Sequence, residues 1–292
     1  MREGRASRTA EQNALFRALE SARPAETRLI DDPLAQSFLR TPLAWVERLA
    51  RRPAFRERIP DFIDRRWPGV RTSVVARTRL IDETIATVVD ADTPQVVLLG
   101  AGFDSRAERL PELRSTRVFE VDHPDTQAAK KRVLLRALGA LPGNVRFVAC
   151  NFDEQDLESV MRAARYDRML KSFILWEGVT NYLSAGAVDT TLRWCARAAP
   201  GSRLLFTYVH RDVLTRPELF AGSKRLYASL ARAGERLTWG IVPEELRPYL
   251  AERGLTLQSD LGASEYRLRV YGDAARQIRG HEFYRVALAR VG

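Results

Sequence analysis

The chain has 292 residues, room for one large domain or two small ones, and its 45% hydrophobic content supplies a globular core and excludes intrinsic disorder. The formal net charge is +10, and nearly all of the basic excess is arginine. With no basic tail and no zinc-finger or RNP motif, that charge reads as solvated helix faces and not as a nucleic-acid surface. The 2 cysteines and 3 histidines include no C-x-x-C pair, which argues against a metal site or disulfide framework and fits a reducing compartment.

The amino-terminal stretch "MREGRASRTAEQNALF" lacks the apolar core of a secretory signal. No apolar run approaches the roughly 18 residues of a membrane span. A soluble, cytoplasmic protein with no membrane or nucleic-acid partner is expected. In chain order, "RTAEQNALFRALESARP" places Ala14, Leu15, Ala18 and Leu19 at helical spacing. "DDPLAQSFL" reads as a helix capped by Asp32 with Pro33 first, and "TPLAWVERLARRP" repeats that grammar with Thr41 and Pro42. "RTSVVARTRLIDETIATVVD" sets Val74, Ile81, Ile85 and Val88 along one face of an amphipathic helix.

From Val96 the pattern changes. Short apolar runs, "VVLLGAG", "TRVFEVD", "VRFVACN", "SFILWEG" and "SRLLFTYV", alternate with amphipathic segments such as "HPDTQAAKKRVLLRAL". Strands alternating with helices predict a doubly wound, mainly parallel sheet. In the tail, "PEELRPYLAERGL" reads as a helix, and "EYRLRVYG" and "FYRVALARV" read as a closing antiparallel pair of strands.

In such sheets, ligands bind beyond the carboxyl ends of the strands. Gly100 and Gly102 end the first strand and allow a tight turn and close approach of a ligand to the backbone. The next strand ends at Asp122, about 20 residues on, where an acid accepts hydrogen bonds from ribose hydroxyls. Capping of the following helix is an alternative task for the same carboxylate. Glycine turn and acid together point to an adenosine-type ligand. NAD fits less well, because Ser105 replaces the third glycine of G-x-G-x-x-G and a long helical segment precedes the first strand. S-adenosylmethionine has a ribose and no pyrophosphate, and fits better.

These motifs resemble the leucine carboxyl methyltransferase family over nearly the whole chain. "RTAEQNALFRA", "LIDDPLAQSFL", "VVARTRLIDE", "VVLLGAGFDSRAERLP", "VFEVDHPDTQAAKKRVL", "FILWEGVTNYLS" and "GSRLLFTYV" are similar to its successive motifs. The resemblance implies a class I methyltransferase (Rossmann-like) α/β fold: a helical cap and lead-in helix over residues 1–92 and a cofactor-binding core over residues 93–292. It implies S-adenosyl-L-methionine as cofactor and O-methylation, at a carboxylate or a hydroxyl, of a small-molecule acceptor. A protein C-terminal carboxylate as acceptor, or cofactor binding without turnover, are the alternatives. The sequence leaves the acceptor and the oligomeric state open.

By the same resemblance, Arg77 pairs with the methionyl carboxylate, which a guanidinium suits. Gly100, Ala101 and Gly102 lie against the amino-acid part, Asp104 or Ser105 meets the ammonium group, Asp122 takes the ribose, and Glu177 lies near the amino-acid end. The family's Asp-Leu near the adenine reads Asn151-Phe152 here, with Asp153 close by. Asn151 keeps an acceptor and loses the charge. "FTYVHRD" projects Tyr208, His210 and Arg211 towards the substrate side, with Tyr208 and His210 as candidate catalytic residues and His210 as a base for a hydroxyl acceptor. Trp239, Tyr266 and Arg267 are further lining candidates.

Overall fold

Apolar runs buried on both faces become the central strands of the sheet. In the computed structural model, which describes residues 8–152, 154–233 and 235–292, all five runs named above are strands. The chain runs α1 (Arg8–Ser21), α2 (Thr41–Ala50), α3 (Arg58–Arg66), α4 (Val70–Val88), β1 (Gln95–Leu99), α5 (Arg106–Arg109), β2 (Arg117–Asp122), α6 (Pro124–Leu138) and β3 (Val145–Ala149). It continues through α7 (Leu157–Ala163), β4 (Ser172–Trp176), α8 (Ala185–Ala196), β5 (Arg203–Val209), α9 (Asp212–Thr215), α10 (Ser223–Ala233) and α11 (Pro243–Ala251), and ends with β6 (Leu255–Gly262), α12 (Ala263–Tyr271) and β7 (Tyr284–Val291).

The sheet order is β3-β2-β1-β4-β5-β7-β6, parallel from β3 to β5, with β7 antiparallel to both β5 and β6. Every residue of β1 and β4 is buried, as expected for strands with helices on both faces. The strand order reverses between β1 and β4, so the loops after these two strands form the crevice where such sheets bind ligands.

Three readings are corrected. "EYRLRVYG" is the helix α12: Glu265 bonds back to the Gly262 N–H to start it, and Ala263, Tyr266 and Arg267 bury one face at helical spacing against α4. The partner of β7 is instead β6, which contains a register shift between Leu257 and Ser259. "DDPLAQSFL" forms a 3-10 turn at Ala35–Phe38 and no α-helix. In α2, Arg40 holds the cap position and Thr41 is the first helical residue. α4 is wrapped on several sides, with Arg71, Thr72, Ser73, Arg77 and Thr78 as buried as Val74 and Ile81, and Val88 only half-buried.

Asp32 joins the amino-terminal helices to the sheet. One carboxylate oxygen accepts from Arg17 Nε at 2.8 Å and from Ser105 Oγ at 2.6 Å, and the other from the Ala35 N–H at 3.0 Å. Arg17 also reaches the Phe103 carbonyl. Burial opposes the ionised form of Asp32, and Arg17 with Arg109 and the Ser105 hydroxyl overcomes it, holding the carboxyl below the usual range. α1 is thereby fixed over the turn that follows β1. Asp32→Ala leaves a buried guanidinium, a hydroxyl and an N–H unserved and is expected to cost about 3–5 kcal/mol. Urea unfolding checks this, and a loss below about 1 kcal/mol, the worth of an exposed pair, would contradict it.

Candidate functional site

The turn after β1 is built on glycine at two points. Gly100 has φ +68° and Gly102 φ +52°, both in the left-handed region. A Cβ on Gly100 would fall 2.3 Å from Val179 Cγ2, so the β1 turn packs directly on the β4 turn. The Gly100 and Ala101 N–H groups both donate to the Val121 carbonyl, and the Gly102 N–H donates to Asp122 Oδ2. Asp122 Oδ1 accepts from the His123 N–H at 2.6 Å. Burial lifts the Asp122 carboxyl above the usual aspartate range although both N–H groups favour its charge. The cap of α6 is His123, whose Nδ1 accepts from the Asp125 N–H, so Asp122 is not spent on capping.

Beside the turn lies a buried ion-pair chain. Arg77 Nε donates to Glu177 Oε1 at 2.7 Å, and Arg106 donates to Glu177 Oε2 at 2.8 Å. Arg106 also pairs with Asp82 at 2.7 Å and with Asp104, whose other oxygen takes the Arg106 N–H. Arg109 shares Asp82 at 2.8 Å. Three guanidiniums thus meet three carboxylates. Burial works against the charges of Arg77, Arg106, Asp104 and Glu177. Arg106 and Arg77 nonetheless hold Glu177 below its usual range, and Arg106 with Lys130 brings Asp104 down to about 2. Sequence reasoning passed over Arg106 although it lies within the quoted "VVLLGAGFDSRAERLP".

A polar cluster borders Arg77. The Arg77 guanidinium carbon lies 5.4 Å from the centroid of the Tyr284 ring. Asn181 faces the hydroxyls of Tyr182 and Tyr284, and Glu235 faces both tyrosines. Thr9, from α1, donates to Glu235 at 2.6 Å and so closes the cluster from above. His281 joins it: burial, with Arg77 and Arg267, pushes its imidazole down to about 3. None of Tyr182, Tyr284, Asn181, Glu235 or His281 was singled out in the sequence, because they come from separate segments that only folding assembles.

The structure brings Arg77, Gly100, Ala101, Gly102, Asp104, Asp122 and Glu177 to one crevice, and the start of the β3 turn, Asn151 and Phe152, follows the neighbouring strand. The Asn151 N–H donates to the Gln155 side chain, and Phe152 packs partly buried on the core. Asp153 lies outside the described residues. Several candidates are engaged by other partners. Both oxygens of Asp104 are engaged by Arg106, and the Ser105 hydroxyl turns away to Asp32, so Ser105 does not face the crevice. Tyr208 is fully buried on β5, and its hydroxyl donates at 2.7 Å to Asp260, which pairs with Arg285. The Tyr208 hydroxyl thus serves the Asp260–Arg285 pair of β6 and β7. His210 Nδ1 accepts from the Asp212 N–H and its ring packs at 5.6 Å from Phe220, a structural role at the start of α9. Arg211 pairs with Glu245 in solvent. Trp239 packs in the core against Tyr249. Tyr266 and Arg267 lie buried beside α4.

A separate groove of about 1120 Å³ runs beside α4 and α5, lined by residues that include Arg79, Asp82, Glu108, Arg109 and Leu141. It also reaches Arg114 and Asn144, which precede β2 and β3, and so lies towards the amino ends of the strands, away from the glycine turn.

The leucine carboxyl methyltransferase family profile matches residues 10–196. A Streptomyces coelicolor protein named as a candidate S-adenosyl-L-methionine-dependent methyltransferase is 36% identical over 206 residues, 70% of this chain and 69% of that protein. A Frankia alni protein of the same description is 33% identical over 264 residues, 85% of this chain and 81% of its own length. Among solved structures, a candidate methyltransferase from Thermobifida fusca superposes with a TM-score of 0.61 at 18% identity, covering 99% of this chain and 96% of the other, which shows a shared fold. No helix among the described residues is long and apolar enough to cross a membrane.

The ion-pair chain makes stability acid-sensitive. The folded pKa of Asp104 lies below its ordinary value of 3.8, so its stabilisation is complete above that value and is lost as pH falls towards about 2. Asp104→Asn is therefore expected to be less stable at pH 6 by about 2 kcal/mol, the linkage equivalent of a shift of that size, and this deficit should shrink as pH falls below 4. Chemical denaturation across pH checks it; a deficit constant with pH would contradict the assignment. Gly100→Ala, strained at positive φ and overlapping Val179, is expected to lower the melting temperature by several degrees, equivalent to roughly 1–3 kcal/mol.

Proposed function

The chain belongs to the leucine carboxyl methyltransferase family and is an S-adenosylmethionine-dependent methyltransferase; on that premise we propose that it methylates an oxygen of a small-molecule acceptor. The observation that carries this reading is the polar cluster of Asn181, Tyr182, Tyr284 and Glu235, roofed by Thr9 of α1 and bordering the buried Arg77–Glu177 pair. A polar cluster covered in this way suits a small acceptor better than the end of a folded protein. The family name supports oxygen as the atom methylated.

The residues present fit S-adenosylmethionine by their chemistry. Asp122 at the end of β2 suits ribose hydroxyls, and the left-handed Gly100–Gly102 turn brings backbone to the strand end beside it, its N–H groups donating to Val121 and Asp122. Arg77 is a cation for the methionyl carboxylate, and Glu177 an anion for the ammonium group. When bound, the cofactor supplies an electrophilic methyl group on a sulfonium. The division into a cap over residues 1–92 and a core over residues 93–292 belongs to the same proposal, as do Asn151 and Phe152 as neighbours of the adenine.

What the chain's own residues contribute is orientation and exclusion of water. Methyl transfer needs the attacking oxygen in line with the methyl carbon, so much of the rate comes from holding two partners in place. The Asp82–Arg106–Glu177–Arg77 chain keeps the binding groups rigid and charged, and α1 covers them. A carboxylate acceptor is already ionised at neutral pH, whereas a hydroxyl must shed its proton.

Arg77→Ala is expected to weaken S-adenosylhomocysteine by about 1.5–3 kcal/mol, the range for hydrogen bonds to a charged group, and to spare 5′-methylthioadenosine, which lacks the carboxylate. Calorimetry that finds equal losses for both ligands would contradict the Arg77 assignment. For the reaction itself, incubation with methyl-labelled S-adenosylmethionine and cell extract, separated by size, is expected to put label on an oxygen in the small-molecule fraction. Label on protein chain ends, on carbon or on nitrogen would overturn the proposal.

A further inference from the structure

Several buried polar atoms around Arg77 have no hydrogen-bond partner among the described residues: both side-chain atoms of Asn181, the Tyr266 hydroxyl and one imidazole nitrogen. His281 is 6% exposed, and its Nε2 has no hydrogen-bond partner among the described residues. Buried nitrogens are normally satisfied, and one that is not calls for an explanation, of which a bound partner is one.

The backbone at His281 is also held in a costly conformation. Its φ is +61°, in the left-handed region that residues other than glycine enter uncommonly, asparagine, aspartate and histidine the most often. The surrounding turn enforces it. Arg267 of α12 bonds to the Gly280 carbonyl, to Glu282 at 2.9 Å and to Ser73 of α4 at 3.3 Å. The Gly280 N–H bonds to Glu282 at 2.7 Å, and a Cβ on Gly69 would fall 2.4 Å from the Gly280 oxygen. Two helices therefore clamp a strained residue whose imidazole is left unserved.

The position of that imidazole gives the unserved nitrogen a use. The ring lies parallel to that of Tyr284, with centroids 6.0 Å apart and planes 5° apart. The Arg77 guanidinium lies against the same tyrosine ring, and Arg77 holds Glu177. His281 thus stands one aromatic ring away from the pair that borders the cofactor's amino-acid end.

We propose that His281 Nε2 is part of the acceptor subsite, where it accepts a hydrogen bond from a neutral hydroxyl, so that the methyl acceptor is a phenol or alcohol and not a carboxylate. This rests on the O-methylation reading above and narrows it. In the proposed tautomer the proton sits on Nδ1 and Nε2 is bare, and a hydroxyl brings the hydrogen which that nitrogen takes. A carboxylate brings none. Burial and the two arginines keep His281 neutral throughout the ordinary pH range, so the acceptor nitrogen is always available.

The test compares two probes with the same ring, phenol and benzoate, on the full chain loaded with S-adenosylhomocysteine. Nitrogen NMR of the three histidines, assigned with His281→Asn, reads the subsite directly. Phenol is expected to move the His281 Nε2 resonance in the direction of an accepted hydrogen bond, saturably, while benzoate leaves it in place. His281→Asn keeps a residue that tolerates positive φ and loses the imidazole; it is expected to weaken phenol at least tenfold with the affinity for S-adenosylhomocysteine unchanged. His281→Gln should do the same. The inference is overturned if phenol leaves His281 unmoved on the loaded protein, if benzoate moves it equally, or if both variants bind phenol as the wild type does. Failure of the wild type to bind S-adenosylhomocysteine would overturn the functional reading, and this inference with it.

Discussion

The fold around the crevice depends on one buried guanidinium. Arg106 meets Asp82 on α4, Asp104 in the β1 turn and Glu177 in the β4 turn, and through Glu177 it fixes Arg77. Its side chain is 4% exposed. Taking so many charges out of water is costly, and the arrangement holds because each cation faces carboxylates at hydrogen-bonding distance. A hydrophobic cluster of the same volume could give as much stability. It could not fix the position of an arginine and a glutamate at a strand end, which is what a zwitterionic ligand requires.

The second constraint is the covering of that crevice by α1. Arg17 bonds to the Phe103 carbonyl in the glycine turn, Asp32 bonds to Ser105, and Thr9 reaches Glu235 on the far side. The amino-terminal helices are therefore not an appendage on the sheet. They are hydrogen-bonded to the turn they cover, and any ligand entering there must displace contacts they make. The cluster of Asn181, Tyr182, Tyr284, Glu235 and His281 lies in the space so enclosed. Access to it and exclusion of water from it are governed by the same few bonds.

The sequence carried the central sheet clearly, because strands covered on both faces read as continuous apolar runs such as "VVLL" and "SFILW". The glycine turn and Asp122 were legible for the same reason: each sits at a fixed place relative to a strand end. The edge was not. In β6 the residues alternate in burial, and the irregularity at Leu257 and Ser259 breaks the period. In "EYRLRVYG" the β-forming side chains Tyr266, Val270 and Tyr271 masked a helical pattern of burial, and packing on α4 decided the matter. The site's electrostatics were hidden for another reason. The partners of Arg106 stand 24, 2 and 71 residues away, so nothing in its own neighbourhood distinguishes it from the many exposed arginines. Likewise His210 follows a strand and His281 precedes one, and only the structure tells the imidazole bonded to the Asp212 N–H from the unserved one.

The central claim is that the crevice between the β1 and β4 turns binds the cofactor, with Asp122 at the ribose and the Arg77–Glu177 pair at the amino-acid end. A crystal structure of the full chain with S-adenosylhomocysteine tests it most directly. The account predicts ribose hydroxyls within hydrogen-bond distance of the Asp122 carboxylate, the homocysteine carboxylate on Arg77, and the Arg106–Glu177 pair intact. Ligand bound instead in the groove beside α4 and α5, or in the crevice with its ribose away from Asp122, would contradict it.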